Sequence, residues 1–335
     1  MFSEFITEDK LNIVFHKSCV DGFFSVILLL EYLKILEKDN FKLNINLIPL
    51  TPNDINKRSD IVKQLEQKRK IILDLPFFGN NVSYYFDHHI SNTEILNSIQ
   101  FRGLFNPEAA STCVLISEYF GKSEIENFDL LVKIANIVDQ AQFTTPPPDY
   151  GKNTFETFED LTWASNDLIK SVRSDVELLK LFDSYNKYSL KEWFSFNEKY
   201  IHEYRKKRQK TLDLKNNIQY SPILVIQNKK FDIQAEGIHF SYSATHADYK
   251  MLVLLDKLYK NSESKKNLYK LTLRLNPKLN PLLIDKFRVD EIAKEFGGGG
   301  HKTAAGATIK NLELGQNKIH QWLETLDEEY FITQF

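Results

Sequence analysis

The chain has 335 residues, a formal charge of −2 and 42% apolar residues, as expected of a soluble globular protein with two domains of ordinary size. Near-neutral charge argues against a protein that coats long nucleic-acid duplexes, since that affinity rests on many phosphate contacts, but leaves short phosphorylated substrates open. No apolar run reaches membrane-span length, Met1 to Phe5 show no basic region leading into an apolar core, and Cys19 and Cys113 make no disulfide framework, so a cytoplasmic protein with no membrane partner is expected.

Leu11 to Phe15 reads as a first strand and Phe23 to Leu36 as a helix with apolar residues at helical spacing. Between them lies the polar loop His16-Lys17-Ser18-Cys19-Val20-Asp21-Gly22, in which spacing alone favours Asp21 as a helix cap. Leu43 to Leu50 reads as a second strand, Asp54 to Gln67 as a helix, and Lys70 to Leu73 as a third strand. Asp74 follows that strand, where by itself it would be an ordinary turn residue before Pro76. The β-branched and aromatic run from Val82 to Phe86 reads as a fourth, buried strand, and it delivers Asp87, His88 and His89 at its end. Two imidazoles beside a carboxylate suit divalent metals of the Mn, Fe or Zn type. Strands alternating with helices imply a mostly parallel sheet, whose ligands bind outside the carboxyl ends of the strands. His16, Asp21, Asp74 and His88 then share one rim, and a single metal site accounts for all four.

Asn106 to Phe120 places the small residues Ala109 to Thr112 before an apolar helix, whose first amides are expected to be free for an anion. Asp129 to Gln142 has helical periodicity, and Asp139 near its end opposes the helix dipole, so it is either solvated or held by something positive. Pro146 to Pro148 stop that helix. Residues 155–210 are helical in character, with Trp163, Trp193 and Phe196 as packing surface. The run Arg205 to Lys210 reads as a solvated helix face in preference to a phosphate-steering one. A polar stretch, Asp213 to Tyr220, precedes new strands at Ile223 to Ile226, Met251 to Leu255 and Leu268 to Leu275, with a helix near Phe240 to Ala247 and Arg274 on the last strand. Finally, Gly297 to Gly300 lead into His301, Ala304, Ala305 and Gly306. Glycines let backbone amides come close to a phosphate, and His301 can donate to the same oxygens. The expected fold is α/β: a mostly parallel sheet flanked by helices in residues 1–185, a helical linker in 186–215, and a smaller C-terminal α/β domain in 216–335.

In combination and in order, His16 to Gly22, Asp74, Asp87-His88-His89, Asp139 and Gly297 to Gly306 resemble the motifs of the DHH phosphoesterase superfamily with its DHH-associated C-terminal domain, over nearly the whole chain. Within it the chain most resembles the compact nanoRNA and nucleotide phosphodiesterase branch. The resemblance implies a Mn²⁺-dependent phosphodiesterase that hydrolyses short oligonucleotides or cyclic nucleotides by attack of metal-bound hydroxide. One Mn²⁺ would be held by His16 and Asp74, and a second by Asp21, Asp74, His88 and Asp139, with Asp74 bridging. Asp87 would orient its neighbours and His89 would stabilise phosphoryl charge. Arg274, Gly299, Gly300 and His301 would hold the terminal phosphate or nucleotide, closing a cleft between the domains. The implied partners are short oligonucleotides or cyclic and mononucleotides, and a homodimer is left open.

One position departs from the family pattern. Cys19 stands where the family has the first of two aspartates, and a thiolate is a soft ligand poorly matched to Mn²⁺, so the first metal position is the less certain of the two. The reading favours Cys19 as a small, half-buried loop residue over a ligand. Two alternatives stand beside the phosphodiesterase: a hydrolase of pyrophosphate or polyphosphate, and a catalytically weakened phosphate-binding module. Phe240, Tyr242 and Tyr269 are available in sequence to read a base, which ranks the phosphodiester substrate first.

Overall fold

The computed structural model describes residues 10–37, 44–121, 127–143, 145–148, 155–228, 233–258 and 268–334. Residue 43, expected to open the second strand, and Met1 to Phe5 lie outside them. The chain divides into two compact units, one from residues 1–142 and 153–201, the other from 143–152 and 202–335. The division after residue 201 falls inside the segment 186–215 expected as a helical linker. Among the described residues no helix is long and apolar enough to cross a membrane.

The first unit runs β1 (Leu11–His16), α1 (Val20–Glu37), β2 (Ile45–Leu50), α2 (Pro52–Asn56), α3 (Asp60–Leu65), β3 (Lys70–Leu73), β4 (Val82–Asp87), α4 (Thr93–Leu96), β5 (Gly103–Phe105), α5 (Thr112–Phe120), α6 (Phe128–Asp139), α7 (Phe158–Ser171), α8 (Asp175–Tyr185) and α9 (Leu190–Phe196). Its strands pair in parallel in the order β2-β1-β3-β4-β5. Both faces of the sheet are covered, which is why its strands read as nearly unbroken apolar runs. Ile13, Phe15, Ile71, Leu73 and Phe86 pack with α1, α5 and α6 residues on one side, while Val14, Ile48, Ile72 and Tyr85 meet Ile55, Val62 and Leu65 on the other. Helix α1 is buried nearly all round, from Phe23 and Phe24 to Leu28 and Leu29.

The chain enters at β1, steps outward to β2, then crosses to β3 on the opposite side of β1. This order reversal between β1 and β3 opens a crevice at their carboxyl ends, where His16 and Asp74 stand.

The helix expected over Asp54 to Gln67 is two short helices. Arg58 between them has a φ of 48°, and Thr51 caps the first helix through a reciprocal box with Asp54. Behind β3, Lys70 is fully buried and donates to the carbonyls of Leu65, Glu66 and Lys68 at 3.0, 3.1 and 3.2 Å, and to Asn80 as well. Removing an ammonium that gathers this many carbonyls leaves acceptors without donors. Lys70→Met should therefore destabilise the chain by about 3 kcal/mol. Urea unfolding would check this, and a change within about 0.5 kcal/mol would show that water replaces the ammonium without loss.

Helix α10 (Glu198–Asp213) follows, and the second unit continues with β6 (Ile223–Asn228), α11 (Ala235–Thr245), β7 (Met251–Leu258), β8 (Leu268–Leu275), α12 (Pro281–Phe287), α13 (Val289–Glu295), β9 (Gly299–His301), β10 (Ala304–Ile309), α14 (Leu312–Thr325) and β11 (Tyr330–Gln334). Its mixed sheet has the order β11-β6-β7-β8-β10-β9. One face packs Val225, Val253, Leu271 and Leu273 against Phe287, Ile292, Ile319 and Leu323. The other covers Leu224, Ile226, Leu252 and Leu254 with α11 residues Ile238 and Tyr242.

The expected α/β class with two such domains is the observed one. The basic run Arg205 to Lys210 is not simply a solvated face, because Arg205 and Arg208 are buried. They share a helix face with Tyr204 and Thr211, and Gly237 of α11 makes room for the Arg208 stem: a Cβ there would lie 2.9 Å from Arg208 Cγ.

Candidate active site

In the first unit, β1, β3 and β4 end together and carry His16, Asp74, and the Asp87-His88-His89 run. Asp74 takes a left-handed backbone with a φ of 56°, a conformation that Asp tolerates better than most residues and that turns its side chain off the strand axis. His16 Nδ1 lies 3.3 Å from Asp74 Oδ2. His88 Nε2 lies 3.3 Å from Asp139 Oδ2, 3.6 Å from Asp21 Oδ2 and 3.8 Å from Asp74 Oδ1. Asp139 at the end of α6, anomalous against the helix dipole, thus faces an imidazole. Asp74 Oδ1 is buried and has no hydrogen-bond partner.

His88 is held by its other nitrogen, with Nδ1 3.0 Å from the Ala109 carbonyl. Donation there turns Nε2 toward the carboxylates and fixes which nitrogen faces them. His89 Nδ1 donates to Asp87 Oδ1 at 2.8 Å, and Asp87 Oδ2 accepts from Tyr85 Oη at 2.9 Å and from Asn92. Asp87 is fully buried, so its carboxylate acts through His89 and does not face solvent. Tyr85 was missed from sequence, although strand periodicity places it on the same face as Asp87, two residues on.

Asp21 answers a different expectation. The amides of Thr112 and Cys113, at the start of α5, donate to its Oδ2 and Oδ1 at 2.7 and 2.9 Å. The anion on that helix N-terminus is therefore Asp21 itself, and those two amides are not free for a ligand. Two contacts not foreseen add to this: Ser25 Oγ donates to the same carboxylate at 3.5 Å, and the Cys113 thiol to the Asp21 main-chain carbonyl at 3.6 Å.

Burial, with Asp74 and Asp139 nearby, raises the Asp21 carboxyl to about 6. Asp74 is held below the usual carboxylate range, since His16 and His89 outweigh the opposing effect of burial. Burial alone would lower His89, but Asp87, Asp74 and Asp139 lift it to about 10, so it carries a proton at neutral pH. Burial also pushes the Cys19 thiol well up, reinforced by Asp74, Asp139 and Asp21, and Cys19 Sγ donates to Asp139 Oδ1 at 3.4 Å. Groups offering ligand atoms within 4.8 Å of one another include His16 with Cys19 and Asp74, Asp21 with His88 and Asp139, and Asp74 with Asp87 and His89.

In the second unit, Ala304 pairs with His301 on β9 and with Arg274 on β8. Directly paired residues of antiparallel strands project on one face, so Arg274 and His301 flank a small residue on the same side. Gly300 has a φ of 142°, and a Cβ there would lie 2.4 Å from the Ala304 carbonyl oxygen. A Cβ on Gly298 would meet the Gly306 oxygen at 2.1 Å, whereas one on Gly299 would meet nothing within 4 Å. Gly298 and Gly300 thus serve the close approach of the hairpin, and open space lies over Gly299. His239 of α11, unmarked by any motif, is fully buried 2.7 Å from Tyr249 Oη. Burial and the Arg274 charge hold it neutral by lowering it to about 3.

The base-reading expectation fails. Phe240, Tyr242 and Tyr269 are all buried, Phe240 against Phe143 and Tyr242 against Tyr220 and Tyr249, because their strand and helix faces form the cores of this unit.

A parallel-sheet unit with a carboxylate–imidazole rim is thus followed by a mixed-sheet unit with a glycine–histidine hairpin. Residues 248–330 match the family model of the DHHA1 domain. Among solved structures, the pGpG-specific phosphodiesterase PggH of Vibrio cholerae aligns over 96% of this chain and 100% of its own, with a TM-score of 0.62 and 17% identity. An exopolyphosphatase-related protein of Bacteroides fragilis aligns over 97% and 94%, with a TM-score of 0.53 and 16% identity. RecJ of Thermus thermophilus, in complex with Mn²⁺, aligns over 100% of this chain but 55% of its own, with a TM-score of 0.53 and 12% identity. No curated protein matches the sequence. Residues 248–330 are thus similar to the DHHA1 domain, and the chain shares its fold with these solved structures.

Proposed function

We propose that this protein is a divalent-metal-dependent phosphoester hydrolase and, more narrowly, a phosphodiesterase for short oligonucleotides or cyclic nucleotides. The observation that carries this reading is the convergence of Asp21, Asp74 and Asp139 with His16 and His88 at one strand rim. Three carboxylates gathered around one imidazole repel one another, and Asp74 Oδ1 is desolvated without a hydrogen bond in return. A pair of cations removes both costs, and the oxygen-rich donor set with imidazole fits ions of the Mn²⁺ class. His16 and Asp74 would hold one ion and Asp21, Asp74, His88 and Asp139 the other, with Asp74 shared.

When bound, such ions supply a Lewis acid for the phosphoryl oxygen and a water acidified enough to attack near neutral pH. The chain's own residues do the rest. Ala109 and the carboxylates fix the His88 ring, and Asp87 keeps His89 oriented and protonated, so that His89 presents positive charge where a phosphoryl oxygen gains negative charge. Arg274, Gly299, Gly300 and His301 are the recognition set for a terminal phosphate, with the Arg fork suited to two phosphate oxygens.

The likeness in fold to the pGpG phosphodiesterase over both full chains supports the dinucleotide reading. Burial of Phe240, Tyr242 and Tyr269 favours a second one, a phosphoanhydride hydrolase that need read no base. Purified protein with Mn²⁺ should release mononucleotide from pGpG and from short RNA faster than it releases phosphate from pyrophosphate or tripolyphosphate. The reverse order would establish the second reading, and no release from any of these substrates would remove the hydrolase proposal.

A further inference from the structure

We infer that His16, Cys19 and Asp74 form a mixed imidazole–thiolate–carboxylate position that takes a borderline ion such as Co²⁺, Zn²⁺ or Fe²⁺ in preference to Mn²⁺, beside the oxygen-rich position of Asp21, His88 and Asp139. This rests on the metal-binding reading above and adds which ion the first position selects. The ligand atoms of His16, Cys19 and Asp74 lie within 4.8 Å of one another. Metal bonds to these donors are about 2.0–2.3 Å long, so one ion can span such a set with little rearrangement.

Two observations support this position. Cys19 precedes α1, and its carbonyl accepts from the Phe23 amide at 3.1 Å, which fixes the backbone while Sγ points toward Asp139, into the carboxylate group. Independently, Asp74 is fully buried and its Oδ2 lies 3.3 Å from His16 Nδ1, so the imidazole and the carboxylate of this position already face each other. An aspartate at position 19 would give this position hard oxygen ligands beside its imidazole, whereas sulfur shifts its preference toward softer ions. Loading is balanced without any oxidant: the thiol hydrogen bonded to Asp139 leaves to solvent as a proton, and the sulfur lone pair binds the ion.

The test uses the full chain, stripped of metal and titrated with Co²⁺, comparing wild type with Cys19→Ser, Cys19→Asp and Cys113→Ala. The readouts are bound equivalents and the thiolate-to-cobalt charge-transfer absorption. The expected result is two equivalents in wild type, with absorption that Cys113→Ala keeps and both Cys19 variants lose. Cys19→Asp should also bind Mn²⁺ at least about tenfold more tightly than wild type. Two equivalents without thiolate absorption, or absorption surviving in Cys19→Ser, would overturn the inference while leaving the metal pair standing. Failure of wild type to bind Co²⁺ at all would remove both.

Discussion

Replacing Asp74 with Asn should cut turnover by at least about three orders of magnitude, the equivalent of roughly 4 kcal/mol of transition-state stabilisation. The proposed bridging role falls to Asp74 because its Oδ2 lies 3.3 Å from His16 and its Oδ1 3.8 Å from His88. Asn keeps the volume and one carbonyl oxygen but not the charge, so packing at the end of β3 survives while bridging does not. Stability should report the same split. A ligand at a hundred times its Kd stabilises by about 2.7 kcal/mol, or roughly 5–11 °C in Tm for a unit of this size. Wild type should gain a rise of that order on adding Mn²⁺, and Asp74→Asn should gain almost none. In chelator the variant should melt modestly lower than wild type, because the attraction of His16 and His89 that holds the Asp74 carboxyl low is lost, partly offset as Asp21 and Asp139 lose a like-charged neighbour. Differential scanning calorimetry with and without Mn²⁺, beside a turnover assay, decides it. Full turnover in the variant would eliminate the bridging role, and a large loss of stability in chelator would show Asp74 to be chiefly a structural carboxylate.

The rim was legible because its carriers are parallel strands buried on both faces, which leave long apolar runs that end abruptly in polar residues. Asp139 was legible as an anomaly: a carboxylate at the wrong end of a helix calls for a partner from elsewhere, and the His88 imidazole lies 3.3 Å from it. What stayed hidden depended on partners distant in sequence. The free helix N-terminus expected before Phe120 is taken by Asp21, about ninety residues earlier, and local pattern cannot see such a contact. The same holds for Arg205 and Arg208, whose charge reads as solvent-facing until α11 is seen to lay Gly237 against the Arg208 stem. Phe240, Tyr242 and Tyr269 were assigned to a ligand because aromatics suit bases, yet the same rings suit cores, and burial decided in favour of the core. Strand order was likewise out of reach. Alternation implied a parallel sheet but not that β3 would return beside β1, and it is this adjacency that brings His16 to Asp74.

Gly22 states the geometric requirement most sharply. It sits in the first turn of α1, where a Cβ would lie 2.4 Å from the His16 carbonyl oxygen, 2.9 Å from His16 Cβ and 3.1 Å from Asp74 Oδ2. The helix start therefore presses directly on the end of β1 and on the crevice between β1 and β3. Its backbone needs no left-handed conformation, so the demand for glycine is one of space alone. Gly22→Ala must push α1 outward or displace His16, and overpacking of this kind costs about 1–3 kcal/mol or more. The two α5 amides that hold Asp21 on α1 oppose the outward shift, so displacement of His16 away from Asp74 is the expected movement, with Asp21 left in place. The expected result is a protein that folds with a lowered Tm and binds one equivalent of divalent metal instead of two, with turnover lost. Metal analysis after equilibrium dialysis, with thermal unfolding in chelator, distinguishes this from general collapse. Two bound equivalents at wild-type Tm would mean that the contact relaxes without cost, and that the glycine after Asp21 is not what shapes the first metal position.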